Sequence, residues 1–137
     1  MRVDPYLFFE GRCEEALQFY TQALGAKVGR LVRFKDAPEQ PPEGRLAPGS
    51  ENKVMHADFK IGDTNINASD GGCGGKTNFG GFSLTIAVKT PAEADKCFNA
   101  LVEGGQVTMP LSKTFFSPRF GMLTDKFGVG WMVIVEG

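Results

Sequence analysis

The stretch TFFSPRFGMLTDKFGVGWMVIV, Thr114 to Val135, decides how the rest of the chain is read. It closes on WMVIV, Trp131 to Val135, a short, β-branched and uncharged run of the kind that forms a buried strand. Just before it, DKFG, Asp125 to Gly128, spells a tight reversal. An aspartate bonds the backbone two residues on, and a glycine supplies positive φ. Arg119, Phe120 and Gly121 lead into the turn. The expected product is a β-hairpin with one cation, one carboxylate, several aromatics and no nucleophile. That set suits binding and orienting a small molecule better than covalent catalysis.

Outward from the hairpin, FSLTIAV, Phe82 to Val88, reads as a strand. Thr90, Pro91 and Glu93 form a capping-box start to a helix that runs to about Glu103. Its inward positions are Ala94, Cys97, Phe98, Leu101 and Val102, and Gly104 and Gly105 stop it. Gln106 to Leu111 is a further strand. The first half of the chain repeats this order. PYLFF, Pro5 to Phe9, is a strand, Glu10 to Arg12 a turn, and Glu14 to Leu24 an amphipathic helix. Ala16, Leu17, Tyr20, Ala23 and Leu24 make its apolar stripe. Gly25 is its C-terminal stop. Ala26 to Phe34 is the next strand.

Residues 36–52, rich in proline and poor in large apolar groups, are expected to be a mobile loop. Lys53 to Ile61 and Thr64 to Ser69 then form a hairpin across Gly62 and Asp63. Alternation places Met55, Ala57, Phe59 and Ile61 on one face, and Val54, His56, Asp58 and Lys60 on the other. The second face is the candidate ligand surface. The run from Gly71 to Gly81 reads as a glycine-rich linker, without the strand-to-helix context of a phosphate loop.

The two halves correspond: Glu15-Ala16 with Glu93-Ala94, Tyr20 with Phe98 and Val28 with Val107, at an offset of about 78 residues. The expected fold is α+β, two βαβββ modules forming a curved mixed sheet around a cavity. The first module spans 1–70, the linker 71–81 and the second module 82–137. The motifs PYLFFEG from Pro5, EALQFY from Glu15, Leu24-Gly-Ala, His56-Ala, INASD from Ile66 and GMLTDKFGVGWM from Gly121 resemble the vicinal oxygen chelate superfamily. This is the group of glyoxalase I, bleomycin-resistance proteins and extradiol dioxygenases. The likeness is nearest its PhnB-like subgroup and covers nearly the whole chain.

The resemblance implies a homodimer, in some members with modules exchanged between chains. In the metal-dependent members of the group, four His, Gln or Glu side chains from the first and last strands of each module hold a divalent metal. Those positions fall near Pro5, Asn67, Ser83 and Met132, which are poor ligands for such an ion. No metal or other cofactor is therefore expected. Some subgroup members carry a demethylubiquinone methyltransferase label. A methyltransferase using S-adenosylmethionine needs a glycine-rich strand-to-helix turn followed by an acidic residue, and no such unit is present, so methyl transfer is not expected.

The chain of 137 residues has a net charge of −1 and no Lys/Arg cluster, so it lacks a nucleic-acid footprint. No apolar run is long enough to span a bilayer. The start of the chain has no signal-peptide core, so a cytoplasmic protein is expected. Cys13, Cys73 and Cys97 are odd in number and lack CxxC spacing, against both a disulfide framework and a zinc site. His56, the only histidine, is the candidate general base, with Asp58 to orient it.

Asn65, Asn67 and Ser69 alternate on one strand face as pocket lining. Ser83, Phe116, Arg119, Asp125 and Trp131 complete the candidate ligand-binding set, with Arg119 either anchoring an anion or pairing with Asp125. Twelve phenylalanines exceed what one small core takes and fit a cavity or a subunit interface. The expected function is metal-free binding of a small aromatic or amphipathic molecule in a cavity at the dimer. The alternative is a metal-dependent lyase, isomerase or dioxygenase using displaced ligands, His56 among them.

Overall fold

In the computed structural model, which describes residues 1–38 and 47–136, the chain divides into two compact units, Met1–Thr77 and Asn78–Gly137. The first contains β1 (Tyr6–Phe8), α1 (Cys13–Leu24), β2 (Lys27–Arg33), β3 (Val54–Ile61) and β4 (Thr64–Ser69). The second contains β5 (Leu84–Val88), α2 (Pro91–Leu101), β6 (Gln106–Ser112), β7 (Phe120–Thr124) and β8 (Gly130–Val135). Each unit is a four-stranded sheet, ordered β1-β4-β3-β2 and β5-β8-β7-β6, with its first strand parallel to its last and the other pairs antiparallel. The fold is α+β, two similar βαβββ modules.

Each helix covers one face of its own sheet. On α1, Ala16, Leu17 and Tyr20 are buried against Leu7, Ala57, Phe59, Ile66 and Ala68. The Tyr20 and Phe59 rings stack with centroids 5.9 Å apart. On α2, Ala94, Phe98 and Leu101 do the same over Leu123, Trp131 and Val133. Burying one such side chain contributes roughly 1.5–3 kcal/mol, so these faces hold each unit together. Gly121 is required by that packing: a Cβ there would lie 2.9 Å from the Phe98 ring.

The helices start in different ways. Thr90 caps α2 through the Glu93 N–H at 3.2 Å, a local device. The residue before α1, Arg12, makes no side-chain cap. Instead the buried carboxylate of Asp70, at the end of β4, accepts from the N–H groups of Gly11 and Cys13 at 2.9 and 2.7 Å, and from Val54 at 2.7 Å. In the second unit Asp125 has the matching task. It accepts from Phe127 and Val129 N–H and from Trp131 Nε1, all within 3.0 Å, and so locks the β7–β8 turn.

One sequence expectation is corrected. Val32 pairs with His56 and Arg33 with Val54, which leaves Met55 as an extra residue in β3. Such a bulge reverses the alternation behind it, so Val54 turns inward and is fully buried rather than sharing the polar face with His56. The segment 36–52 falls partly on 39–46, outside the described residues. Its described ends are tied by hydrogen bonds from Lys35 N to Glu51 O and from Ala47 N to Gly72 O.

Candidate functional site

The face of the first sheet turned away from α1 gathers the polar candidates. Strand register fixes which side chains are neighbours: Tyr6 opposes Asn67, Asn67 opposes Asp58, Lys60 opposes Asn65 and Phe8 opposes Ser69. Directly opposed residues share a face. Their strand neighbours Leu7, Ala57, Phe59, Ile66 and Ala68 are buried under the helix, so this set lies on the open side. Tyr6 and Phe8 remain 40% and 51% exposed there, with ring centroids 4.8 Å apart. His56 joins them across β4: its Nδ1 lies 3.4 Å from the Tyr6 hydroxyl, and the two rings are 5.8 Å apart. A hydroxyl, an imidazole, an amide and two aromatic rings thus converge on one surface.

The partner expected to orient His56 is not the one found there. Asp58 accepts a hydrogen bond from Arg30 N–H at 3.2 Å in a bulge of β2. Its Oδ1 occupies the space beside Gly29 that any Cβ would need, 2.3 Å away. Tyr6 takes the place beside the imidazole. Little in the chain's pattern points to this, because β1 reads YLF with an apolar or aromatic residue at every position, and alternation cannot sort it.

The candidates from the second half are dispersed. Trp131 and Asp125 are 2% and 3% exposed, bonded to each other on the helix side, so neither reaches an open surface. Arg119 pairs with Asp95 of α2 rather than with Asp125. It lines a groove between α2 and β6 with Phe98, Asn99 and Val107. The first unit has a corresponding groove of about 270 Å³ between α1 and β2, lined by Leu17, Thr21, Val28 and Leu31. Ser83 is exposed just ahead of β5. Phe116 packs edge-on between Phe115 and Phe120, both centroids 5.1 Å away. Phe120 opposes Ile134 on the open side of the second sheet. Of the twelve phenylalanines, Phe8, Phe82, Phe115 and Phe116 are exposed, so the surplus over the core is displayed.

Nothing in these positions makes a hard-metal site. The four places drawn from the resemblance supply an imino acid, an amide, a hydroxyl and a thioether, which do not fit a divalent ion that prefers imidazole and carboxylate. Among the described residues, no three His, Cys, Asp or Glu side chains are grouped so as to hold a metal. The cysteines are not poised for catalysis. Cys13 is buried, and desolvation pushes its thiol well above the usual range. Burial also raises Cys73 and Cys97.

Two helix-covered mixed sheets of this connectivity define a glyoxalase/bleomycin-resistance/dioxygenase fold. A domain of that description from Frankia sp. matches at a TM-score of 0.65 over 99% of this chain and 95% of its own, at 16% identity. The chain belongs to the family described as 3-demethylubiquinone-9 3-methyltransferase, whose model matches residues 1–134. Protein YjdN of Escherichia coli is 33% identical, over 98% of this chain and 95% of that one. The solved protein PA1353 of Pseudomonas aeruginosa is 39% identical with a TM-score of 0.84, covering 99% and 98% of the two chains. A Bacillus cereus structure titled as a putative 3-demethylubiquinone-9 3-methyltransferase, PhnB protein, is 31% identical with a TM-score of 0.80, covering 98% and 99%. Among the described residues, no helix is long and apolar enough to cross a membrane.

Proposed function

We propose that this protein binds a small aromatic or amphipathic molecule against the open face of its first sheet, as a cytoplasmic homodimer and without a divalent metal. The observation that carries the reading is the exposure of Tyr6 and Phe8 beside His56 and Asn67. Two aromatic rings left in water on a sheet face cost apolar burial that a ligand would restore. The adjacent amide and imidazole supply the few directional polar groups that fix a ligand's orientation. In this reading the Tyr6 hydroxyl donates to His56 Nδ1. That assignment keeps the proton on Nε2, which then donates to an oxygen on the ligand.

Methyl transfer is not part of the proposal, although the family and the Bacillus cereus relative carry that name. The glycine-rich stretch after Asp70 leads to β5, not to a helix whose N-terminus could hold an anionic cofactor.

The test is a thermal-shift and calorimetric screen with salicylate, 4-hydroxybenzoate, 1-naphthol and menadione. At least one should bind, and Tyr6→Ala, His56→Ala and Asn67→Ala should each weaken it tenfold or more with little change in Tm. No binder, or binding indifferent to all three substitutions, overturns the reading. Elemental analysis of untagged protein purified without chelator decides the metal question. Near-stoichiometric manganese, nickel, zinc or iron would replace this reading with a metal-dependent lyase or isomerase using His56. Sedimentation equilibrium checks the dimer.

A further inference from the structure

Of the five methionines in the chain, three stand side by side on the second sheet. Met109 on β6 is in register with Met122 on β7, which is in register with Met132 on β8. Directly paired residues project to one face. Trp131 and Val133, which flank Met132, are buried against α2, so the methionine row lies on the opposite, open side.

The alignment depends on a bulge. Val107 pairs with Leu123 while Met109 pairs with Met122, which makes Thr108 an extra residue. Without it, Met109 would follow Val107 to the helix side and the row would be broken. Met109 is 43% exposed, and Met122 and Met132 are half-buried rather than part of the core. Thr85, paired with Met132 on its other flank, ends the row. The next paired positions on this face, Ala87, Ile134 and Phe120, bring no carboxylate, amine or imidazole.

We propose that Met109, Met122 and Met132 form a binding site for a soft monovalent cation, copper(I) by its chemistry. Strands lie about 4.8 Å apart, so the thioether of Met122 and those of its two flanking neighbours can turn toward a single ion. Thioether sulfur is soft and uncharged. It favours copper(I) and offers little to magnesium, calcium or manganese, which need oxygen ligands. The competing sulfur groups of this protein are held back, since burial raises all three thiols and lowers their thiolate fraction at neutral pH. The site uses only the second sheet and is independent of the aromatic ligand proposed for the first.

The experiment presents copper(I), anaerobically and as its bicinchoninate complex, to the Cys73→Ser/Cys97→Ser protein, which retains only the buried Cys13. One copper(I) per chain should leave the indicator, and X-ray absorption at the copper edge should show a shell of sulfur alone. Met122→Leu, close to the original volume, should weaken binding tenfold or more, and Met132→Leu should do so separately. Met55→Leu and His56→Ala should leave it unchanged. Failure to take copper from the indicator overturns the proposal. So does copper held equally well by both methionine variants, or a shell containing nitrogen or oxygen. Should Met122→Leu lower Tm, Met132→Leu and Met109→Leu at unchanged Tm decide the matter.

Discussion

On the first sheet the face away from the helix carries Tyr6, Asp58, Asn67 and Ser69 in paired positions, with His56 beside the Tyr6 hydroxyl. On the second sheet the same face carries Met109, Met122, Met132, Phe120 and Ile134. The helix-facing sides, by contrast, are alike: alanine, leucine and aromatic positions of α1 and α2 lie over aliphatic and aromatic strand residues. The repeated side is the one each module must bury to fold, so its composition is held by packing. The open sides carry no such constraint and have diverged, one toward hydrogen bonding and the other toward polarisable apolar contact.

The heaviest test of this comparison is the pair of buried aspartates. Asp70 and Asp125 each accept from three N–H groups. Asp70→Ala and Asp125→Ala strand those donors, and each should cost about 3 kcal/mol or more in urea unfolding. The two Asn variants should retain part of the loss. A change below about 1 kcal/mol in either alanine variant would show that the modules are not clipped in equivalent ways.

Glycines sharpen the contrast at the next level. Gly105→Ala brings a Cβ to within 2.1 Å of the Thr124 carbonyl, and Gly121→Ala to within 2.9 Å of the Phe98 ring. Both should destabilise the second unit by roughly 1–3 kcal/mol, since backbone and packed rings cannot step aside. Gly29→Ala meets chiefly the carboxylate end of the Asp58 side chain, which can rotate away, with the Asp58 carbonyl at an ordinary 3.8 Å. It should cost under about 1 kcal/mol, chiefly through the weakened Arg30 N–H bond. Equal losses at the three sites would remove the distinction between a packed core and a yielding open face.

A smaller effect comes with pH. The folded state holds the Cys13 thiol above its ordinary range by burial. Stability from this group is therefore complete below the unfolded value of about 8.5 and is lost as pH rises past it, because the unfolded chain ionises first. The urea midpoint should fall from about pH 8 to about pH 10, and Cys13→Ala should flatten that slope.

The smallest effect is electrostatic. In each unit a partly exposed ion pair ties the helix to a distant segment, Glu14–Arg33 and Arg119–Asp95. Arg33 holds the Glu14 carboxyl below its ordinary value through their hydrogen bond. Its contribution is present above that ordinary value and fades as pH falls toward the lowered one. Arg33→Ala and Arg119→Ala should each lower the urea midpoint only slightly, and by less in high salt.

Much of the fold was legible because local signals agreed. The Thr90 cap, the Gly25 stop and the turn from Asp125 to Gly128 are short-range features, and each is found in place; the repeat that matches Tyr20 with Phe98 puts both rings in the core of their own unit. The candidate site was less legible. Asn67 and His56 could be placed on an open face from alternation, but Tyr6 could not, because every residue of its strand is apolar or aromatic. Trp131 and Asp125 fall in the ligand-binding set on sequence because their mutual bond is not visible in composition.

The sequence by itself determined two repeated βαβββ units, most of their helix-facing residues and the lack of hard-metal donors at the positions that the resemblance singles out. Only the tertiary structure decided which side chains meet. A bulge at Met55 sends Val54 into the core, and one at Thr108 brings Met109 into line with Met122. Asp70 reaches back to start α1, and Tyr6 crosses β4 to His56. In each case one residue of register or one long-range hydrogen bond decides what local patterning leaves wrong or open. Those choices are settled by pairing energies between strands far apart in the chain, which no local pattern records.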